Sequence, residues 1–298
     1  MRNASGVAAA LIVALLVPAT ASAWGFDAHK FIIRRAIGLL PPELEPFYEQ
    51  HRDELVIRVT DPDLWRTVGW DEDANHFLDF GAKEYGDYPF AALPRDLDAA
   101  VEKFGEATVK RNGMIPWRAS EMFGQLRRAF ERIARGPNAA GDVVLFSGIV
   151  AHYIKDSNQP LHATINYDGQ LSGNDGIHNR FEAALFERFQ SRLTVQPEAV
   201  TPMRNPRDAA FGFLLSGYQL ADAILKADTE AVAGKEFYDD DYFEKLFSRV
   251  RPILERRLSE SITATASAIV GAWDAAGRPS LAPSTGPRPP QRVKRPQP

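Results

Sequence analysis

Hydrophobic positions recur along most of this chain at three- and four-residue spacing, the period of a helix with one face turned inward. Residues 24–40, WGFDAHKFIIRRAIGLL, put Phe31, Ile32, Ala36, Leu39 and Leu40 on such a face and stop at Pro41-Pro42. Residues 43–60 continue as a second helix, with His51 in its charged middle and expected in solvent. Asp61-Pro62-Asp63 reads as an N-cap followed by proline at the first helical position. Residues 99–112 and 117–135 are amphipathic, and 142–157 is an almost wholly apolar helix. Residues 178–193 form another, and 206–227 and 239–271 supply two or three more. Two stretches break the period, 68–98 and 163–176, both rich in Gly and Asp. Loops as long as the first are uncommon unless they carry function. No strand alternation and no internal repeat is visible, so the expected fold is all-α, a single multi-helix domain.

The apolar helix changes character at its end, HYIKDSNQPLH over His152–His162. His152 and Asp156 stand four apart, so both side chains rise from one face with their Cβ atoms roughly 5–6 Å apart. Pro160 forbids regular continuation and pushes Gln159 toward an extended conformation, so His162 is free to point to a second place. Buried imidazole and carboxylate must be satisfied, by an ion pair or by a metal. A single His-x3-acid pair favours the ion pair. Of the six histidines, however, five have carboxylates nearby: His29, His76, His152, His162 and His178, the last followed by Glu182 at four residues. Imidazole with carboxylate and no thiolate is the donor mix of catalytic zinc, with manganese or iron as weaker fits. The donors are too many for one tetrahedral ion.

Composition narrows this picture in three ways. Residues 1–23 have an early Arg2, an apolar run and small residues before Trp24, the pattern of a secretory signal peptide. The expected domains are that leader, a helical domain over 24–277 and a disordered Pro-rich basic tail over 278–298, in an exported protein, periplasmic or secreted. The chain has no Cys, so an exported form must be held by packing, by metal or by both. A net charge of −4 offers no basic footprint for tight nucleic-acid binding. It does not disfavour an anionic substrate, because a bound cation dominates its own site.

The motifs together resemble those of the zinc-dependent phospholipase C and single-strand-specific nuclease superfamily. The matching pieces are WGFDAH from Trp24, DPDLWR from Asp61, HF-x-D from His76 to Asp79, and H-x3-D-x2-QPLH from His152 to His162. Gly173-Asn174 in a loop and H-x3-E from His178 to Glu182 complete them, in the family's order over residues 24–182. The resemblance implies a cleft with three zinc ions. One would take Asp63, His76, His152 and Asp156. A second would take His162, His178 and Glu182. The third would take the free amine and carbonyl of Trp24 with His29 and Asp156, so that Asp156 bridges. In DPDLWR two aspartates compete; Asp63-x2-Arg66 is the closer match to relatives, and Asp61 reads as a cap. Asp63 and Asp156 are the expected catalytic carboxylates.

The activity implied is hydrolysis of phosphate esters by metal-activated water. Glu182 is similar to the bacterial phospholipases, where nucleases usually carry Asp, and favours phospholipid headgroups over single-stranded nucleic acid as substrate. The absence of Cys also points away from the fungal nucleases. A nuclease or 3′-nucleotidase is the alternative. A different class of reading, a non-catalytic binding protein stapled by zinc, fits less well with so many carboxylates. No stable partner is expected, and the chain is expected to act as a monomer. Phe77 and Asn174 are candidates for substrate contact, but core packing for Phe77 and helix capping for Asn174 are the simpler roles.

Overall fold

A computed structural model describes residues 25–133 and 139–281. The expected leader, Trp24 and tail residues 282–298 lie outside the described residues. Among the described residues there are helices and loops but no strand. Their only bridge of β type pairs Phe80 with Thr164.

The amino-terminal helices are α1 (Phe26–Ile37), α2 (Glu45–Gln50), α3 (Arg52–Arg58) and α4 (Asp61–Thr67). The expected single helix over 43–60 is thus two, parted at His51, whose φ of −106° and ψ of 14° leave the helical region. His51 is not in solvent as expected. Its ring packs on Phe47 with centroids 4.7 Å apart, and Nδ1 lies 3.7 Å from Glu54. The irregular stretch that follows holds two single 3₁₀ turns, Asp73–His76 and Lys83–Tyr85. Then come α5 (Leu97–Phe104), α6 (Glu106–Arg111), α7 (Ile115–Ile133) and α8 (Ala140–Asp156). One expected helix over 99–112 is again two, because Gly105 at φ +80° turns the chain between α5 and α6.

α8 is the central element and packs against α3, α7 and α12. Val143, Val144, Ile149, Val150 and Ile154 are all buried. Fully burying an aliphatic side chain contributes about 1.5–3 kcal/mol, so this helix can carry polar groups into the interior and still dock. Gly148 lets α3 come close: a Cβ there would lie 2.8 Å from the Arg58 Cβ and 3.1 Å from the Val59 nitrogen.

The polar residues after Asp156 close the helix. Ser157 Oγ donates to the Tyr153 carbonyl (2.8 Å), which also takes the Ser157 N–H, and Asn158 Nδ2 donates to that of Ile154 (2.9 Å), one of the last-turn carbonyls. Pro160 opens a 3₁₀ turn, Pro160–Ala163, which redirects His162 as the sequence implies.

The expected helix over 178–193 is composite. It consists of α9 (Ile177–Asn179), a π-turn (Arg180–Ala184), α10 (Leu185–Phe189) and a 3₁₀ turn (Gln190–Arg192). The long helices α11 (Pro206–Val232) and α12 (Asp240–Ala275) complete the fold. The connection into α11 runs along α12. There Thr194, Gln196 and Glu198 donate their backbone N–H to Glu255 Oε1 (2.7 Å), Ser259 Oγ (2.9 Å) and Thr263 Oγ1 (2.9 Å). Residues 278–281, assigned to the tail by composition, turn back on α12. Trp273 Nε1 donates to the Pro279 carbonyl at 2.9 Å, and Leu281 is buried.

Candidate metal centre

Eight of the expected ligands converge in two groups, and none of the eight is more than 5 % exposed. The first draws on four elements. α1 supplies His29, α4 supplies Asp63, the 3₁₀ turn after α4 supplies His76, and α8 supplies His152 and Asp156. Asp156 lies at its middle, with Oδ2 3.0 Å from His76 Nδ1 and 3.1 Å from His152 Nε2, and Oδ1 3.4 Å from His29 Nε2. Asp63 lies 4.0 Å from His29 Nε2 and 3.9 Å from His76 Nδ1. The His29 ring stacks on His152 with centroids 4.4 Å apart.

The second group is His162, His178 and Glu182. The two imidazole Nε2 atoms are 3.1 Å apart, and Glu182 Oε2 lies 3.0 Å from His178 and 3.7 Å from His162. Short main-chain bonds couple the two groups: Leu78 N–H donates to the His162 carbonyl (2.9 Å) and Ile165 N–H to that of Phe80 (3.1 Å).

Backbone placement fixes the chemistry of His152. The Val59 carbonyl, 2.9 Å from Nδ1, can only accept, so Nδ1 carries the proton and Nε2 presents its lone pair to the group. Gln159, which the sequence reading did not single out, also positions a ligand. Its Oε1 accepts from Leu161 N–H and its Nε2 donates to Glu182 Oε2 at 2.9 Å. Tyr153, beside His152, donates to the buried Glu72, which leads the turn bearing His76. Tyr153 adjoins the expected ligand His152, whereas Glu72 lies four residues before His76 and leaves no mark of this role in the sequence. Asn174, expected as a cap, does not cap. Its side chain reaches Asp228 on α11 (2.8 Å), and the N–H of His178 is taken by Asp168 Oδ1 (3.2 Å).

The buried groups hold their protons unevenly. Burial, reinforced by the negative charge of Asp156, pushes the Asp63 carboxyl up to about 7. Asp156 is held well below the usual carboxylate range; burial opposes its charge, but His152, His76 and His162 outweigh it. Burial pushes His76 down to about 4, against its bond with Asp156. For His152 and His178 burial opposes the proton, but Asp156 and Glu182 respectively outweigh it and the net shift is upward.

Three sets of donors are close enough to hold an ion: His29, Asp63 and His152; His76, His152 and Asp156; and His162, His178 and Glu182, the first two sharing His152, whose one free lone pair serves one ion at a time. Ligands at about 2.0–2.1 Å from a tetrahedral ion stand about 3.3 Å from one another. The triangle in the second group has sides of 3.1, 3.0 and 3.7 Å. That of His76, His152 and Asp156 has 3.1, 3.0 and 3.1 Å. Both match such a face. Several buried atoms of these residues also have no hydrogen-bond partner, among them His76 Nε2, Asp156 Oδ1 and Glu182 Oε1. Each such atom costs about 1–3 kcal/mol if left so. The donor set therefore fits divalent cations. Trp24, the remaining expected ligand, lies outside the described residues.

Of the two aspartates in DPDLWR, Asp63 is the buried one beside the imidazoles. Asp61 is the first residue of α4 rather than its cap, and it pairs with Arg58 at 3.3 Å. Asp61→Asn is expected to change stability by no more than about 0.5 kcal/mol and to leave metal content intact. Asp63→Asn is expected to weaken ion binding at least about 100-fold, since even an outer hydrogen-bond partner of a ligand is worth 10–100-fold. Metal content of the two variants after dialysis against graded chelator separates them, and equal loss in both would refute the assignment.

No family model matches the chain, and no curated protein is recognisably similar to it in sequence.

Proposed function

We propose that the protein is an exported zinc-dependent hydrolase of phosphate esters with three ions, acting on phospholipid headgroups. The observation that carries this reading is the pair of three-donor triangles. Each matches one face of a tetrahedron, and the second group offers three protein donors, the number typical of catalytic zinc, where closed structural sites use four. This is the ground for preferring catalysis over a zinc-stapled binding protein.

When bound, the ions supply Lewis acidity, lowering the pKa of a water and taking up charge on phosphoryl oxygens. The chain's own residues do the rest. Asp156, with one oxygen toward His76 and His152 and the other toward His29, is placed to bridge. Asp63, buried within 4.0 Å of His29 Nε2, is positioned to accept a proton from an attacking water. Val59 and Gln159 keep His152 and Glu182 oriented, so little reorganisation is needed as charge develops.

The neighbours of the ligands favour a lipid. Leu64 follows Asp63, and Val68 and Trp70 lie just beyond; all three are exposed, Val68 to 66 %. Ile165, Tyr167 and Leu171 follow His162 and are exposed as well, with the Tyr167 ring 6.1 Å from that of His178. Exposed apolar side chains beside a polar centre suit a substrate with acyl chains better than a polyanion. The test is the zinc-loaded protein assayed on phosphatidylcholine vesicles and on single-stranded DNA and RNA. Headgroup release is expected. Cleavage of nucleic acid without lipid activity would overturn the substrate, and activity on neither would favour the staple.

A further inference from the structure

The second group sits on a short and irregular piece of chain, α9 and the π-turn, yet its three donor atoms are held within 3.7 Å of one another. Arg180 lies between His178 and Glu182 in sequence, and its side chain leaves the group for the opposite side. Nε donates to Tyr242 Oη on α12 (2.8 Å), and Nη2 to both oxygens of Asp228 on α11 (3.2 Å each). Nη1 donates to the Asp175 carbonyl (2.7 Å) and Nη2 also to that of Asn174 (3.2 Å). The guanidinium covers the Tyr238 ring at 4.0 Å. Gly176, at φ +80°, leaves room for it, since a Cβ there would be 2.9 Å from Nη1.

Asp228 is the hub of this arrangement and is 1 % exposed. It accepts from Arg180 in the π-turn, from Tyr242 on α12 and from Asn174 Nδ2 in the preceding loop (2.8 Å). Asn174 also donates to the Leu225 carbonyl (3.1 Å) and Thr229 Oγ1 (2.9 Å). The same loop carries Asp168, which takes the N–H of His178. Two routes therefore run from Asp228 to the ligands, one through Arg180 and one through Asn174 and the loop. These bonds tie the π-turn that carries Glu182 to α11 and α12.

We propose that Asp228, acting through Arg180, is a positioning residue that holds His178 and Glu182 in register with His162. It thereby sets the affinity of the second group for a divalent ion. The proposal rests on the metal reading given above and deepens it.

The test uses the full-length protein and measures zinc release by chelator competition, with the absorption spectrum of the cobalt(II)-substituted form as a second readout. His162→Asn identifies the ion belonging to the second group. Asp228→Asn is expected to lower the affinity of that ion tenfold or more and to alter its cobalt spectrum, while the other ions stay within threefold of wild type. Unchanged affinity overturns the proposal, and so does an equal weakening of every ion in step with a lower melting temperature. Replacing the pair together, Arg180→Met with Asp228→Leu, removes the buried charges. Melting temperature recovering while zinc affinity stays low supports positioning, and affinity recovering with it overturns the proposal. Should Asp228→Asn fail to fold, Tyr242→Phe serves instead, with a three- to fivefold loss at the same ion expected and no loss overturning. A wild-type protein that binds neither zinc nor cobalt defeats the metal reading itself, and this proposal with it.

Discussion

Asp156→Asn is expected to lower turnover of a phosphodiester at least about 10³-fold and to remove one or more ions from the protein. Losing a single neutral donor at a reacting oxyanion already costs about 10²–10³-fold, and Asp156 does more than that. It faces His76, His152 and His29 from one fully buried carboxylate. Asparagine keeps the shape and one acceptor but removes the charge and puts an amide where a second donor atom is needed. Metal content by mass spectrometry and turnover, measured on the same preparation, check the result. A variant with full metal content and normal turnover would show that Asp156 does not bridge.

Stripping the ions with a chelator is expected to lower the melting temperature by roughly 15–25 °C. An ion present at about a thousand times its dissociation constant contributes about 4 kcal/mol. For a domain of this size each kcal/mol moves the midpoint by about 2 °C, so two such ions give about 16 °C and three about 24 °C. The pH dependence should reverse as well. In the ion-free protein His152 and His178 titrate above their usual value and Asp63 near 7. Groups whose pKa rises on folding stabilise at low pH and lose that contribution as pH climbs through the raised value. The ion-free protein should therefore weaken from about pH 6.5 upward, where His76, pushed down to about 4, no longer titrates. The ion-loaded protein should instead gain over this window, because protons then compete less for the ligands. Melting curves between pH 6 and 9, with and without zinc, read both slopes. Parallel slopes in the two forms would count against ion binding at these residues.

Much of this was legible in the sequence. Apolar spacing located α1, α7, α8, α11 and α12, because each buries one face or nearly all of itself. The donors were legible through spacing and chemistry: His152 and Asp156 at four residues, Pro160 turning His162 aside, and His178 with Glu182. What was not legible has physical reasons. Neither the break at His51 nor the π-turn at Arg180–Ala184 is marked by a Gly or Pro, the residues that usually signal such departures. The Val59 carbonyl that fixes His152 is main chain and has no residue signature. Asn174 stands where a helix cap is expected, yet its amide nitrogen donates to α11, more than fifty residues away. The charged neighbours of His51 suggest solvent, whereas the ring of Phe47, four positions earlier, covers it.

The rungs between the 194–198 segment and α12 behave as a vernier. Two residues of extended chain advance about 6.6 Å while four residues of helix advance about 6.0 Å. Each rung therefore arrives slightly further ahead of its acceptor. Across Thr194, Gln196 and Glu198 the accumulated offset is about 1.2 Å, which hydrogen bonds can absorb by tilting. A fourth rung would widen the offset to about 1.8 Å. The chain leaves register after Glu198 and reattaches only at Met203, whose N–H meets the main-chain carbonyl of Ser267 at 2.9 Å. The difference in pitch makes the mismatch grow with every rung when extended chain rides a helix in this way.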